Sequence, residues 1–182
     1  MRYLALLRGI NVGGHTLIRM PALKECFESL GFSGVHTYIQ SGNVIFSSDD
    51  SDKLRLAKAI ERTITKTFSH EVRVVVFSHD EWKLIVKNAP RQWGNDESYS
   101  HNLIALLPPV TAAEALEASG VIKPAIEFAV AGAGVIYQGM SIQDRGKTNY
   151  ARIVGKPIYK QMTIRNYNTA TKLLKLMDEE VL

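Results

Sequence analysis

Val35-His36-Thr37-Tyr38-Ile39 and Val44-Ile45-Phe46 are two short β-rich runs, and Gln40-Ser41-Gly42-Asn43 between them is hairpin punctuation. This stretch predicts two adjacent antiparallel strands. On its N-terminal side, Tyr3 to Arg8 reads as a strand. Met20, Leu23, Phe27 and Leu30 then recur at helical spacing until Gly31 stops the helix. On its C-terminal side, Asp49-Asp50-Ser51 forms a capping cluster, after which Leu54, Ala57, Ile60, Ile64 and Phe68 mark a helix as far as about Ser69. Val72 to Phe77 follows as a strand. The order strand, helix, strand, strand, helix, strand is that of a ferredoxin-like split unit.

The same order then begins again. Ser78-x-x-Glu81 is a capping box for a short helix ending before Pro90, and residues 88–100, rich in Pro, Gly and polar side chains, read as a linker. Beyond it come a strand at Leu103 to Leu107, a helix opened by the Thr111-x-x-Glu114 box and ended at Gly120, and strands at Ile126 to Val130 and Val135 to Tyr137. A helix near Tyr150 to Val154, a strand at Met162 to Ile164 and a helix from Thr169 to Met177 complete the pattern. Leu4-Ala5-Leu6-Leu7 resembles Ile104-Ala105-Leu106-Leu107, which suggests an internal duplication. The expected fold is α+β, made of two tandem ferredoxin-like (βαββαβ) halves: 1–87, the linker 88–100, and 101–182 with a C-terminal helix. The first and fifth strands are apolar at successive positions, so both of their faces should be buried.

Composition supports a soluble globular class. Of 182 residues, 46% are hydrophobic and 22% charged, and the apolar runs fall short of the roughly 20 residues a bilayer helix needs. Arg8 interrupts the apolar N-terminus and no small-residue cleavage site follows, so a strand is expected there in place of a signal peptide. Cys26 is the only cysteine, which excludes an internal disulfide and points to the cytoplasm. Charge is unevenly spread. Residues 1–140 hold fourteen basic and fourteen acidic side chains, whereas 141–177 hold eight basic ones against Asp144 alone.

Three motifs carry a resemblance. Leu6-Leu7-Arg8-Gly9-Ile10-Asn11-Val12-Gly13-Gly14 leads into Met20-Pro21-x-Leu23; Thr37 to Phe46 contains Gln40-Ser41-Gly42-Asn43; and Thr163-Ile164-Arg165-Asn166-Tyr167-Asn168-Thr169 precedes Lys172-Leu173. Together they resemble a bacterial family known as domain of unknown function 1697. The resemblance implies an α+β fold of two ferredoxin-like parts and supplies no reaction. Arg19 and Tyr167 stand where similar sequences often carry other residues.

Gly9, Gly13 and Gly14 fit either a tight connection needing positive φ or a loose anion-binding turn. The spacing is that of a Walker A loop, but His15 replaces the lysine that such a loop requires. Arg8 ends an apolar strand, where a guanidinium usually finds a carboxylate, phosphate or carbonyl. Gln40, Ser41 and Asn43 are either hairpin chemistry or, since the first and third strands neighbour each other in such a sheet, part of one polar cluster with Arg8 and Asn11. Asn166 and Asn168 are either N-caps or, with Arg165, an anion site at a helix start. No histidine spacing suits a metal, no cofactor motif is present, and Cys26 lies beside an apolar stripe.

These readings converge on one leading expectation: a small anionic ligand, a nucleotide or phosphorylated metabolite, held between the halves by Arg8, Asn11, Gly13, Gly14, Gln40, Ser41, Asn43, Arg165, Asn166 and Asn168. A second is sequence-tolerant nucleic-acid binding through Arg145, Lys147, Arg152, Lys156 and Lys160, with Tyr150, Tyr159 and Tyr167 stacking on bases. A third is an enzyme using His15 or Asp144. No membrane is expected as a partner, and the assembly expected is a monomer or homodimer.

Overall fold

A computed structural model describes residues 1–11, 17–120 and 122–179, the side chains of Ala151 and Arg152 excepted. It contains two four-stranded antiparallel sheets with helices. By internal contacts the chain divides into two compact units, Met1–Leu84 with Leu173–Leu182, and Ile85–Lys172.

The first unit runs β1 (Arg2–Leu7), α1 (Met20–Glu28), β2 (Ser33–Tyr38), β3 (Asn43–Ser47), α2 (Lys53–Phe68) and β4 (Val74–Ser78), with spatial strand order β2-β3-β1-β4. The register pairs Leu4 with both Ile45 and Phe77. Alternation along the strands sends Tyr3, Ala5, Leu7, Val44, Phe46, Val74 and Val76 into a core with Leu23, Cys26 and Phe27 of α1 and Leu56, Ile60 and Ile64 of α2. Phe46 is its centre, with ring centroids 4.5 Å from Phe32 and 5.6 Å from both Tyr3 and Phe27. Leu4, Leu6 and Ile45, on the opposite face, are equally buried, as the unbroken apolar run of β1 requires. The cap of α2 lies one residue beyond the cluster read from sequence: Asp52 Oδ1 accepts from the N–H groups of Leu54 and Arg55. Asp50 instead receives the Asp52 N–H and the Arg55 guanidinium.

Helix α3 (His79–Lys87) opens with the expected box, in which Ser78 N–H donates to Glu81 Oε2 at 2.9 Å and Glu81 N–H to Ser78 Oγ at 3.3 Å. The second unit carries β5 (Tyr99–Leu106), α4 (Ala112–Ser119), β6 (Glu127–Ala131), β7 (Val135–Ser141), α5 (Tyr150–Ile153) and β8 (Met162–Asn166), followed by α6 (Tyr167–Asp178), which continues into the first unit. Its strand order is β6-β7-β5-β8, the order of the first sheet repeated. Both halves of the capping box at Thr111 and Glu114 are made. Strand β5 begins at Tyr99, four residues earlier than its apolar pattern suggests, because Tyr99 to Asn102 pair with β7 without being apolar. The segment read as a connection is also packed. Trp93 is 4% exposed, its indole N–H donates to the Asn102 carbonyl, and its ring meets the edges of Tyr137 and Tyr167. No helix among the described residues is long and apolar enough to cross a membrane.

Candidate functional site

The β2–β3 turn is pressed against the end of β1. Gly42 has φ 74°, its carbonyl accepts from Leu7 N–H at 2.8 Å, and a Cβ there would lie 2.7 Å from Leu7 Cβ and 2.9 Å from Ile10. Only glycine fits. Asn43 is fully buried, and its amide donates to the Tyr38 carbonyl (3.0 Å) and to Ser41 Oγ (2.9 Å), closing the turn from inside.

Asn11 joins this turn to the β1–α1 connection. Its Nδ2 donates to the Gln40 and Ile18 carbonyls, both at 2.9 Å, and its Oδ1 accepts from Ile18 N–H at 2.7 Å. With φ 55° it occupies the left-handed region that Asn tolerates. One end of the first sheet therefore gathers Arg8, Asn11, Gln40, Ser41 and Asn43. Gly13, Gly14 and His15 lie outside the described residues. The asparagine amides hold the backbone, while the Gln40 side chain is exposed and Ser41 and Arg8 are half-buried. Arg8 N–H donates to the Arg73 carbonyl, continuing the β1–β4 ladder.

Between the two carbonyls that Asn43 and Asn11 hold stands Ile39, with φ 47° and 48% exposure. A β-branched residue in the left-handed region costs about 1–3 kcal/mol, and such strain persists only where surrounding bonds fix it. Leu17, one residue before the Ile18 that Asn11 grips, is 75% exposed. Sequence reading missed both; a lone aliphatic side chain carries no signal of its backbone conformation.

In the second unit Arg165 lies on β8 opposite Leu103 and is 6% exposed. Its Nη1 donates to Thr163 Oγ1 (3.0 Å) and to the Ile164 carbonyl (2.8 Å), and burial holds its guanidinium down to about 10. Asn166 Oδ1 accepts from Thr169 N–H at 2.8 Å, an N-cap for α6, and Asn168 is exposed. Glu127, which the sequence reading passed over, is 4% exposed and accepts from the backbone N–H groups of Lys123 (3.1 Å), Asn149 (2.8 Å) and Tyr150 (3.3 Å). A cavity of about 30 Å³ beside it, lined by Ile104, Ile136, Gln138 and Tyr150, is room for a water and no more.

The basic segment is largely occupied with its own fold. Lys156 Nζ donates to the Ser119 (2.6 Å) and Ala118 (3.2 Å) carbonyls at the C-terminus of α4, where a cation suits the helix dipole. Lys147 pairs with Asp144 at 2.8 Å. Arg145 and Lys160 are exposed, and the Arg152 side chain lies outside the description. Tyr150 and Tyr159 pack against the second core, and burial pushes the Tyr150 phenol up. Tyr167 lies over Gly94, where a Cβ would approach its ring to 2.2 Å. The three tyrosines thus serve packing. Among the described residues, no group of three His, Cys, Asp or Glu side chains could hold a metal ion.

A family model described as "Protein of unknown function (DUF1697)" matches residues 1–137, so the motif at Thr163 to Leu173 lies beyond the matched span. A solved structure of a conserved bacterial protein from Streptococcus pneumoniae is similar to this chain with a TM-score of 0.86 at 26% identity, covering 97% of this chain and 98% of that one. No curated protein matches it.

Proposed function

The chain belongs to the family of proteins of unknown function DUF1697, and from that premise we propose that it binds a small anionic ligand, a nucleotide or phosphorylated metabolite, at the Arg8 end of the first sheet. We infer also that each unit is a ferredoxin-like half. The support for the second inference is the strand order β2-β3-β1-β4, repeated as β6-β7-β5-β8.

One observation carries the binding reading. A single amide, that of Asn11, grips the Ile18 backbone and the Gln40 carbonyl together, so Asn11, Ile18 and the β2–β3 turn are held as one preorganised cluster. Arg8, Ser41 and Gln40 lie at the same end of the sheet, where the Leu7 N–H meets the Gly42 carbonyl. The sequence segments 1–24 and 29–48 contain no Asp or Glu. An anion approaching there meets donors and a positive charge with no acidic side chain from either segment to oppose it. Arg8 supplies the charge, Ser41 the neutral hydrogen bond, and the asparagines the rigidity.

A thermal-shift screen of inorganic phosphate, sugar phosphates and nucleotides tests this. A ligand at 100 times its Kd adds about 2.7 kcal/mol to stability. Arg8→Ala should abolish the shift, and a shift that survives Arg8→Ala would remove the proposal.

A further inference from the structure

Building on that reading, we infer that the ligand is a nucleoside phosphate, its base seated on Leu17 and Ile39 and read by the Gln40 amide. Leu17 and Ile39 are large aliphatic side chains left 75% and 48% exposed, each one residue away from a group that the Asn11 amide holds. Each is therefore tethered through its neighbouring residue to the same clamp. Ile39 is displayed in a left-handed conformation that most sequences give to Gly or Asn. A turn needing only to reverse the chain would not require an isoleucine there. An apolar surface of this kind, beside Arg8 and Gln40, suits a ligand with a flat apolar body and an anionic end.

Gln40 supplies the discrimination. Its carbonyl is taken by Asn11, but its side chain is exposed and makes no hydrogen bond among the described residues. A primary amide offers one donor and one acceptor side by side, the pattern an adenine edge complements with its exocyclic N–H and ring nitrogen. A sugar phosphate alone would engage Arg8 and leave both the aliphatic pair and the amide unused. The charge directs binding of the phosphate and the turn selects for the base.

The test is isothermal titration of the full chain with adenosine monophosphate, ribose 5-phosphate and inorganic phosphate. Adenosine monophosphate is expected to bind at least about tenfold more tightly than ribose 5-phosphate, the order of one bidentate base contact. Gln40→Ala and Ile39→Gly should each weaken adenosine monophosphate by about tenfold while leaving ribose 5-phosphate unchanged. Glycine at 39 relieves the left-handed strain, so that variant is expected to fold with unreduced stability. Equal affinity for the two phosphates, or insensitivity of the nucleotide to both variants, would overturn base recognition while leaving the anion site intact. Failure of all three ligands to bind would overturn the anion site as well.

Discussion

Arg2 Nη2 donates to the carbonyl of Leu176 at 2.8 Å across 174 residues of chain, and its Nη1 reaches the Glu179 carbonyl at 2.6 Å. One guanidinium from the first strand thus closes the carboxyl end of the last helix, whose final carbonyls have no partner within the helix. Two charge-assisted bonds at a partly exposed site contribute about 1–2 kcal/mol. Arg2→Ala should lower Tm by about 5 °C, and Arg2→Lys should restore only part, because an ammonium cannot reproduce the forked pair. Calorimetry on the three proteins decides it; an unchanged Tm for Arg2→Ala would show that the helix end is held by other groups.

Gly42 and Gly9 share nearly the same backbone, φ 74° and 73°, yet differ in surroundings. Beside Gly42 the space for a methyl group is filled by Leu7 and Ile10; beside Gly9 nothing lies within 4 Å. Gly9→Ala should therefore cost the left-handed strain alone, about 1–2 kcal/mol. Gly42→Ala adds overpacking and should cost about 2–5 kcal/mol. Urea midpoints of the two variants measure the difference directly, and equal midpoints would contradict the close contact at the turn.

The contrast between these glycines also marks what the sequence could tell. Helical spacing at Leu23 and Phe27 and continuous burial along β1 come from local pattern, and the structure follows them. That Arg8, Asn11 and Gln40 meet follows from strand adjacency, which is legible once the element order is known. What Asn11 does on arrival is not legible. Its three bonds depend on a connection whose path no period encodes, and an asparagine that clamps backbone reads identically to one that awaits a ligand. Trp93 was hidden for a related reason. It sits among Pro90, Gly94 and polar residues with no stripe to announce it, and only contact with Tyr137 and Tyr167 buries it. The shift of the α2 cap from the Asp49-Asp50-Ser51 cluster to Asp52 is a choice among adjacent acids that propensity does not rank.

Asn11→Ala removes two donated bonds and one accepted bond at once, and replaces a residue that tolerates φ 55° with one that does not. The expected cost is about 2–4 kcal/mol. Gln40→Ala, which keeps the backbone carbonyl that Asn11 uses, should change stability by less than about 0.5 kcal/mol. Hydrogen exchange provides the finer readout: the Ile18 amide should lose protection in Asn11→Ala and keep it in Gln40→Ala. Protection retained in both would show that the clamp is dispensable.

Asp50 gives a pH dependence of definite sign. The Arg55 guanidinium, and after it the Asp52 backbone N–H, hold its carboxyl at about 2, below its ordinary 3.8. A carboxylate depressed by folding adds stability that is fully present above its unfolded value and disappears as pH falls through the folded one. Its share should accordingly fade between about pH 4 and pH 2. Arg55→Met removes the main partner, so its stability deficit relative to the parent should be constant above pH 5 and vanish near pH 2. Parallel denaturation curves across that range are the measurement, and a deficit that persists at pH 2 would assign it to lost packing instead of charge.

Glu127 offers the sharpest test of the second unit. Its carboxylate receives three backbone N–H groups, from Lys123 before β6 and from Asn149 and Tyr150 at the start of α5. It therefore holds two chain segments onto the edge of the sheet, with both side-chain oxygens accepting. Glu127→Gln keeps the shape but turns an NH2 toward at least one of those N–H donors, leaving a buried donor without an acceptor. The expected cost is about 1–3 kcal/mol. Amide exchange should accelerate at Lys123, Asn149 and Tyr150 while the first unit's Leu4 and Ile45 keep their protection. Acceleration spread evenly over both units would mean that the glutamine lowers global stability without loosening these segments, and the assignment of Glu127 as a local tie would fail.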